Sequence, residues 1–197
     1  YLAGVFGYFQ MGALKNDGHT LCNANLKIEI TTPDNIIFTP EIKNSEECNG
    51  NNVTEKPDYF TYQKLDAVGL YKMSLINLDN DFQIDDQFEV RETVPFEVER
   101  IGATRINPFK SDYIMTIKIK ANEDFNGEIK ETIPENFEII NSSTSWNINL
   151  SKGEEKTLSY TYQAPKISPE IFLLGPLTVG SFKESRQWQI ASDDATG

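Results

Sequence analysis

The stretch DYIMTIKIKA, residues 112–121, alternates without a fault: Met115, Ile117 and Ile119 fall on one side, and Thr116, Lys118 and Lys120 on the other. Successive side chains of an extended chain point to opposite faces. A period of two therefore predicts a strand with one face in a core and the other in water. The pattern recurs on both sides of this stretch. In NLKIEIT, residues 25–31, Leu26, Ile28 and Ile30 oppose Lys27 and Glu29. YFTYQKL (59–65) and the run 70–78 read as two strands joined by a corner at 66–69, and FQIDDQFEVRE (82–92) closes that group through Phe88 and Val90. FEVERIGATRI (96–106) reads as a new first strand ended near Pro108, and Asn126-Gly127 as a turn. PEIFLLGPLTVG (169–180) reads as a buried strand interrupted at Gly175-Pro176, and SRQWQIASD as a last strand with Trp188 and Ile190 on one face.

No amphipathic helix emerges in the first ninety residues. Short strands separated by turn residues are the signature of a β-sandwich. The pattern restarts after RETVP, residues 91–95. The expectation is an all-β chain of two tandem sandwich domains, residues 1–93 and 94–197, with RETVP as the joint.

The balance of 18 basic against 30 acidic residues gives a net charge of −12 and an isoelectric point near 4.5. That disfavours nucleic acid and anionic membrane surfaces, both of which call for a basic footprint. With 39% hydrophobic residues the chain has material for real cores. No run approaches the ~18 apolar residues of a membrane span. The first residues, YLAGVFGYFQMGAL, lack the basic region of a signal peptide, and the chain opens on Tyr1 without Met. It reads as a processed product or an excised piece of a longer chain, extracellular or cell-surface.

Cys22 and Cys48 are the two cysteines, and both sit in polar, loop-like sequence where a free thiol would be a liability. A disulfide is the simplest reading in a secreted chain, and a pair of buried thiols the alternative in a cytosolic one. Nothing points to catalysis. The single histidine, His19, lies in a polar turn three residues from Cys22, no G-x-S-x-G elbow occurs, and no Cys/His cluster has metal spacing. Calcium is a weaker expectation at the acidic groups Asp79-Asn80-Asp81, Asp85-Asp86, Glu123-Asp124-Asn126 and Asp193-Asp194, none of which matches an EF-hand loop. Lys27, Lys118 and Lys120 fall on polar faces, which argues against a Lys–Asn crosslink in the core. Tyr59, Phe60 and Tyr62 read either as alternating core and surface residues or as a platform for stacking sugars. Three N-x-[ST] sequons occur, at Asn52, Asn141 and Asn149.

Asp66-Ala67-Val68-Gly69-Leu70-Tyr71 resembles the tyrosine corner of immunoglobulin-like folds, in which a Tyr just past a strand-to-strand corner bonds back to upstream backbone. Met73 stands where that pattern carries a cysteine. The segments YIMTIKIKA, EIKETIPENFEII and LSKGEEKTLSYTYQAP, within residues 94–165, resemble the conserved-repeat immunoglobulin-like modules of large bacterial surface proteins. LKIEITTPDN and VGLYKMSLIN resemble them more loosely, and GPLTVGSFKESRQWQIASD is similar to endings of repeat-bearing surface proteins of uncultured bacteria. The resemblance implies a non-catalytic structural or adhesive module without cofactors, part of a stalk or filament, with neighbouring modules or copies of itself as partners. The aromatic opening, Tyr1, Val5, Tyr8 and Phe9, is the expected segment for strand exchange between copies. The alternative is a carbohydrate-binding module using exposed aromatics, with or without calcium.

Overall fold

The computed structural model describes residues 1–195, so the last two residues of the expected 94–197 unit lie outside it. Every regular element in the described residues is a strand. The first seven are β1 (Val5–Met11), β2 (Leu26–Thr31), β3 (Ile37–Phe38), β4 (Lys43–Asn44), β5 (Tyr59–Leu65), β6 (Gly69–Asn77) and β7 (Phe82–Val90). They form two sheets, ordered β1-β5-β4 and β3-β2-β6-β7. Between them lies a core built on Phe9, Met11, Ile28, Ile30, Tyr59, Leu65, Tyr71 and Val90. Ile28 and Ile30 are fully buried, where the alternation of residues 25–31 puts them.

The remaining strands are β8 (Phe96–Ile101), β9 (Arg105–Ile106), β10 (Tyr113–Ala121), β11 (Phe125–Glu131), β12 (Glu138–Ile139), β13 (Ser145–Leu150), β14 (Glu155–Gln163), β15 (Glu170–Leu174), β16 (Leu177–Val179), β17 (Phe182–Glu184) and β18 (Trp188–Ser192). One sheet is ordered β12-β14-β10-β8. Facing it are β13-β11-β16-β17 and β15-β18-β9. These last two are the halves of one bent face. β15 and β16 are a single run broken at Gly175-Pro176, and they pair with β18 and β17, which are a single returning run. Met115, Ile117 and Ile119 are buried at the centre against Leu158, Tyr160 and Tyr162 of β14. Each such aliphatic side chain taken out of water contributes about 2 kcal/mol. Arg100 of β8 reaches across to Glu131 of β11 in a two-pronged pair, 2.8 and 3.0 Å, with both side chains buried.

The two sandwiches repeat one plan. β1 pairs with β5 as β10 pairs with β14, and β2 pairs with β6 as β11 pairs with β16. The hairpin of β6 and β7 corresponds to the bent hairpin from β15 to β18. These crossed pairings between non-consecutive strands are the immunoglobulin-like plan.

Two readings of the sequence need correction. Residues 96–106 are not one strand: β8 stops at Ile101 and β9 begins at Arg105 in the other face. At the crossing, a Cβ on Gly102 would meet Met115 Cε at 3.0 Å and the Ile114 carbonyl at 3.2 Å, so a larger residue there would have to push its neighbours on β10 aside by a few tenths of an ångström. Asn126-Gly127 is no turn, since both residues pair within β11 opposite Asn149 and Ile148. Gly127 leaves room there for the Phe125 ring, 3.2 Å from its would-be Cβ. The acidic pair Asp85-Asp86 lies inside β7, as the reading of 82–92 as a strand places it.

The corner at 66–69 is built as its residues require. Gly69 has φ 136°, and a Cβ there would press on Pro33 Cγ at 2.9 Å. The buried Tyr71 hydroxyl accepts a hydrogen bond from the Ala67 N–H at 3.1 Å, while Asp66 pairs with Lys64 at the surface. Tyr71→Phe is expected to lower unfolding stability in urea by about 1 kcal/mol, the net worth of one such bond. An unchanged midpoint would show that the corner is held by packing alone.

Candidate functional site

The densest polar constellation in the described residues lies where the two sandwiches meet, and Arg105 of β9 is its centre. The residue is 1% exposed, and its side chain leaves its own core to enter the loops of the first sandwich. Its Nη2 donates to Asp58 Oδ2 at 2.8 Å and lies 2.8 Å from Cys48 Sγ, and its Nη1 donates to the Asn51 carbonyl at 2.8 Å. Cys22 and Cys48 are joined in a disulfide, so the sulfur beneath Arg105 belongs to a bridge and Cys22 is no thiol nucleophile for His19. Backbone strengthens the contact. Thr54 donates to the Arg105 carbonyl at 3.1 Å and accepts from the Thr104 N–H at 2.9 Å, which adds the disulfide-tied loop to the margin of β9. Burial is the largest influence on Asp58 and raises its carboxyl pKa despite the Arg105 guanidinium. One Asp58 oxygen and the Arg105 Nε have no partner, consistent with a pair that holds at a desolvation cost.

A second polar clasp sits beside the first. Asp193, just past β18, is buried and accepts from the Thr20 N–H at 2.7 Å, from the Thr20 hydroxyl at 2.8 Å and from His19 Nδ1 at 2.7 Å. Burial pushes the Asp193 carboxyl up, but these donors outweigh it and hold the pKa below the ordinary value. The Asp193 hydrogen bond raises the His19 pKa. Asn52, a sequon residue, donates from its side chain to the Asp194 carbonyl at 3.0 Å, and the Arg186 guanidinium lies 5.0 Å over the Tyr1 ring. Gly18, at φ 89°, tucks its backbone against Pro169 of the second sandwich, where a Cβ would sit 3.0 Å from Cγ.

The other sequence-derived candidates lie elsewhere. Tyr1 packs on Phe9 and Phe88, and its ammonium donates to the Glu89 carbonyl. Val5 and Tyr8 belong to β1, paired residue for residue with β5, and Phe9 is buried in the core. Of the aromatic trio, Tyr59 points inward and its hydroxyl ties down Leu21 and Ala24. Phe60 and Tyr62 point outward and meet Tyr8, whose ring stacks on Tyr62 at 4.8 Å. The three rings lie side by side on the outer face of the β1-β5 sheet, where Tyr62 is 50% exposed. Two of the acidic turns hold the backbone of other segments: Asp79 accepts from Asn25 N–H and Asp124 from Lys152 N–H. His19, Asp193 and Asp194 bring ligand atoms within 4.8 Å of one another. They already bond to one another or to Thr20 and Ser168, and a nitrogen with two carboxylates falls short of the six to eight oxygens calcium takes.

Sequence reasoning missed Arg105, Asp58, Thr54 and the Thr20–Asp193 clasp. The one available signal was a lone Arg in the apolar setting Ala103-Thr104-Arg105-Ile106, which names no partner.

No protein-family profile and no curated protein sequence matches the chain. Among solved structures the chain is similar to Salmonella alpha-2-macroglobulin reacted with methylamine, with 16% identity and a TM-score of 0.34 over 99% of this chain and 14% of that one. It is also similar to the Y1175G mutant of that protein, with 17% identity and a TM-score of 0.31 over the same shares. The chain thus spans about one-seventh of the length of those structures. Among the described residues, no helix is long and apolar enough to cross a membrane. The immunoglobulin-like architecture stands on the sheet topology itself. The particular repeat family that residues 94–165 resemble has no matching profile.

The clasp at Asp193 makes a pH prediction. His19 has a raised pKa in the folded state, so its stabilisation is complete below its ordinary 6.5 and is lost as pH rises through the folded value. Asp193 has a lowered one, so its contribution is complete above 3.8 and is lost as pH falls through the folded value. Thermal unfolding midpoints should therefore be highest between these limits and decline on the alkaline side, and His19→Gln should remove that alkaline decline. A decline of the same size in the variant would assign it to another group.

Proposed function

We propose that this chain is a non-catalytic structural or adhesive segment of a secreted or cell-surface bacterial protein, with its two immunoglobulin-like units, residues 1–93 and 94–197, held as one stiff body. The observation that carries this reading is Arg105, a buried cation that one unit places inside the other. A hinge between modules would leave such a residue in water. The Cys22–Cys48 bridge lends support to an oxidising compartment, since disulfides persist outside the cytosol. Stiffness is what a stalk or filament asks of its repeating parts, and the partners in this reading are neighbouring modules or copies in an extracellular assembly.

The test is orientational. Residual dipolar couplings from the two units should fit one common alignment tensor in the native chain. Arg105→Ala strands Asp58 in a buried site, a change worth about 3–5 kcal/mol when one member of a buried pair is removed. In that variant the two units should align independently while each keeps its own amide spectrum. Independent tensors in the native chain would refute the stiff-segment reading.

A further inference from the structure

Both arms of the Cys22–Cys48 bridge hold the second sandwich, each by its own bonds. The arm before Cys22 brings His19 and Thr20 to Asp193. The arm after Cys48 brings the Asn51 carbonyl to Arg105, the Asn52 side chain to the Asp194 carbonyl, and Thr54 to the backbone of Thr104 and Arg105. The bridge joins the two arms across 26 residues of sequence and is the only crosslink between them. The second arm has little else to fix it, because residues 45–58, between β4 and β5, contain no strand. Within that loop Asn51 donates to the Glu47 carbonyl, and the Glu47 carboxylate accepts from the N–H groups of Glu55 and Lys56. Those bonds close the loop on itself, and the bridge is what ties it to the arm at Thr20.

The same contact closes the bridge to solvent. Cys48 is 0% and Cys22 4% exposed. Arg105 Nη2 lies 2.8 Å from Cys48 Sγ and 3.7 Å from Cys22 Sγ, so the second sandwich sets its guanidinium against both sulfurs. A disulfide is cleaved by a thiolate that reaches one of its sulfurs, and access therefore governs the rate. Parting the sandwiches withdraws the guanidinium and opens that side of the bridge.

We propose that the Cys22–Cys48 bridge and the contact at Arg105 together form a thiol-operated lock on the two sandwiches, opened by a dithiol. In the docked chain the dithiol finds no sulfur to attack. When the sandwiches part, its thiolate attacks one sulfur, forming a mixed disulfide and releasing the other cysteine as a thiolate that takes up a proton. The second thiol of the reagent then attacks the mixed disulfide. The dithiol leaves as a cyclic disulfide, and its two electrons and two protons remain on Cys22 and Cys48 as thiols. With the crosslink gone, Asn51, Asn52 and Thr54 no longer meet the second sandwich from one fixed surface, because the loop regains the freedom the bridge had removed. Docking thus resists reduction and reduction weakens docking, two sides of one reciprocal coupling. The inference rests on the reading that the docked sandwiches move as one body.

The experiment uses the whole chain with dithiothreitol as the dithiol, and follows new thiols by alkylation and mass. Arg105→Ala withdraws the guanidinium and should speed reduction roughly tenfold or more. Ile30→Val weakens the first core without touching the contact and should leave the rate unchanged, whereas a route through unfolding of that sandwich would carry a rise of about fivefold. The native sequence supplies an independent readout. Held reduced in dithiothreitol, it should give separate alignment tensors for the two units, with the amides of β2, β6 and β10 at their oxidised shifts. Equal rates in the native chain and Arg105→Ala would overturn the lock, as would the fivefold rise with Ile30→Val. One common tensor in both redox states would overturn the lock and leave the stiff-segment reading standing. Separate tensors already in the oxidised chain would refute that reading and the lock with it.

Discussion

A guanidinium taken out of water is stable only if its surroundings replace the water, and Arg105 is supplied almost entirely from outside its own sandwich. The Asp58 carboxylate, the Asn51 carbonyl and a sulfur of the Cys22–Cys48 bridge all belong to the first sandwich. Remove either sandwich and the other is left with a charged group whose counter-ion is gone and whose cover is open to water. The two cores are separate, one running from Phe9 to Val90 in sequence and the other from Phe96 to Ile190. Neither can shed the contact without exposing a group that water must then recover. A buried ion pair adds little net stability by itself, and its force is in what it forbids. In the proposed reading, what it forbids is independent movement of the two sandwiches.

The surrounding parts follow from that constraint. The disulfide ties the loop around Cys48 to the segment after Thr20, so the acceptors for Arg105 come as one preassembled surface rather than as mobile loop residues. Thr54 then uses backbone bonds to join that surface to β9, and the clasp of His19 and Thr20 on Asp193 fixes a second point. Two separated anchors determine an orientation where one would allow rotation. RETVP, which from sequence reads as the joint that limits bending, is accompanied by a much stronger restraint formed by residues far from it in the chain.

What could be read from the sequence was whatever depends on neighbours along the chain. The alternation at 112–121 and 25–31 gave strands whose buried faces are the ones named, because a period of two is a local property. The Asp-x-x-Gly-x-Tyr corner is legible for the same reason, its bond spanning only Ala67 to Tyr71. The split of 96–106 was not legible, since the glycine that permits it answers to Met115 and Ile114 in another strand. Still less could the site be read. Arg105 lies 47 residues from Asp58 and His19 lies 174 from Asp193, and no periodicity connects a charge to a partner that far away. Asp193 looked like one acidic residue among thirty. It was the fold that made it the acceptor of three hydrogen bonds from another module.

The most direct measurement of the central claim is native-state hydrogen exchange at the amides that cross between the sandwiches: Thr20, Thr54 and Thr104. If the two units form one body, these amides exchange only with the slowest opening of the molecule, at rates matching the core amides of β10. Exchange within minutes at all three, with β10 still protected, would mean that the units part freely and that Arg105 does not hold them.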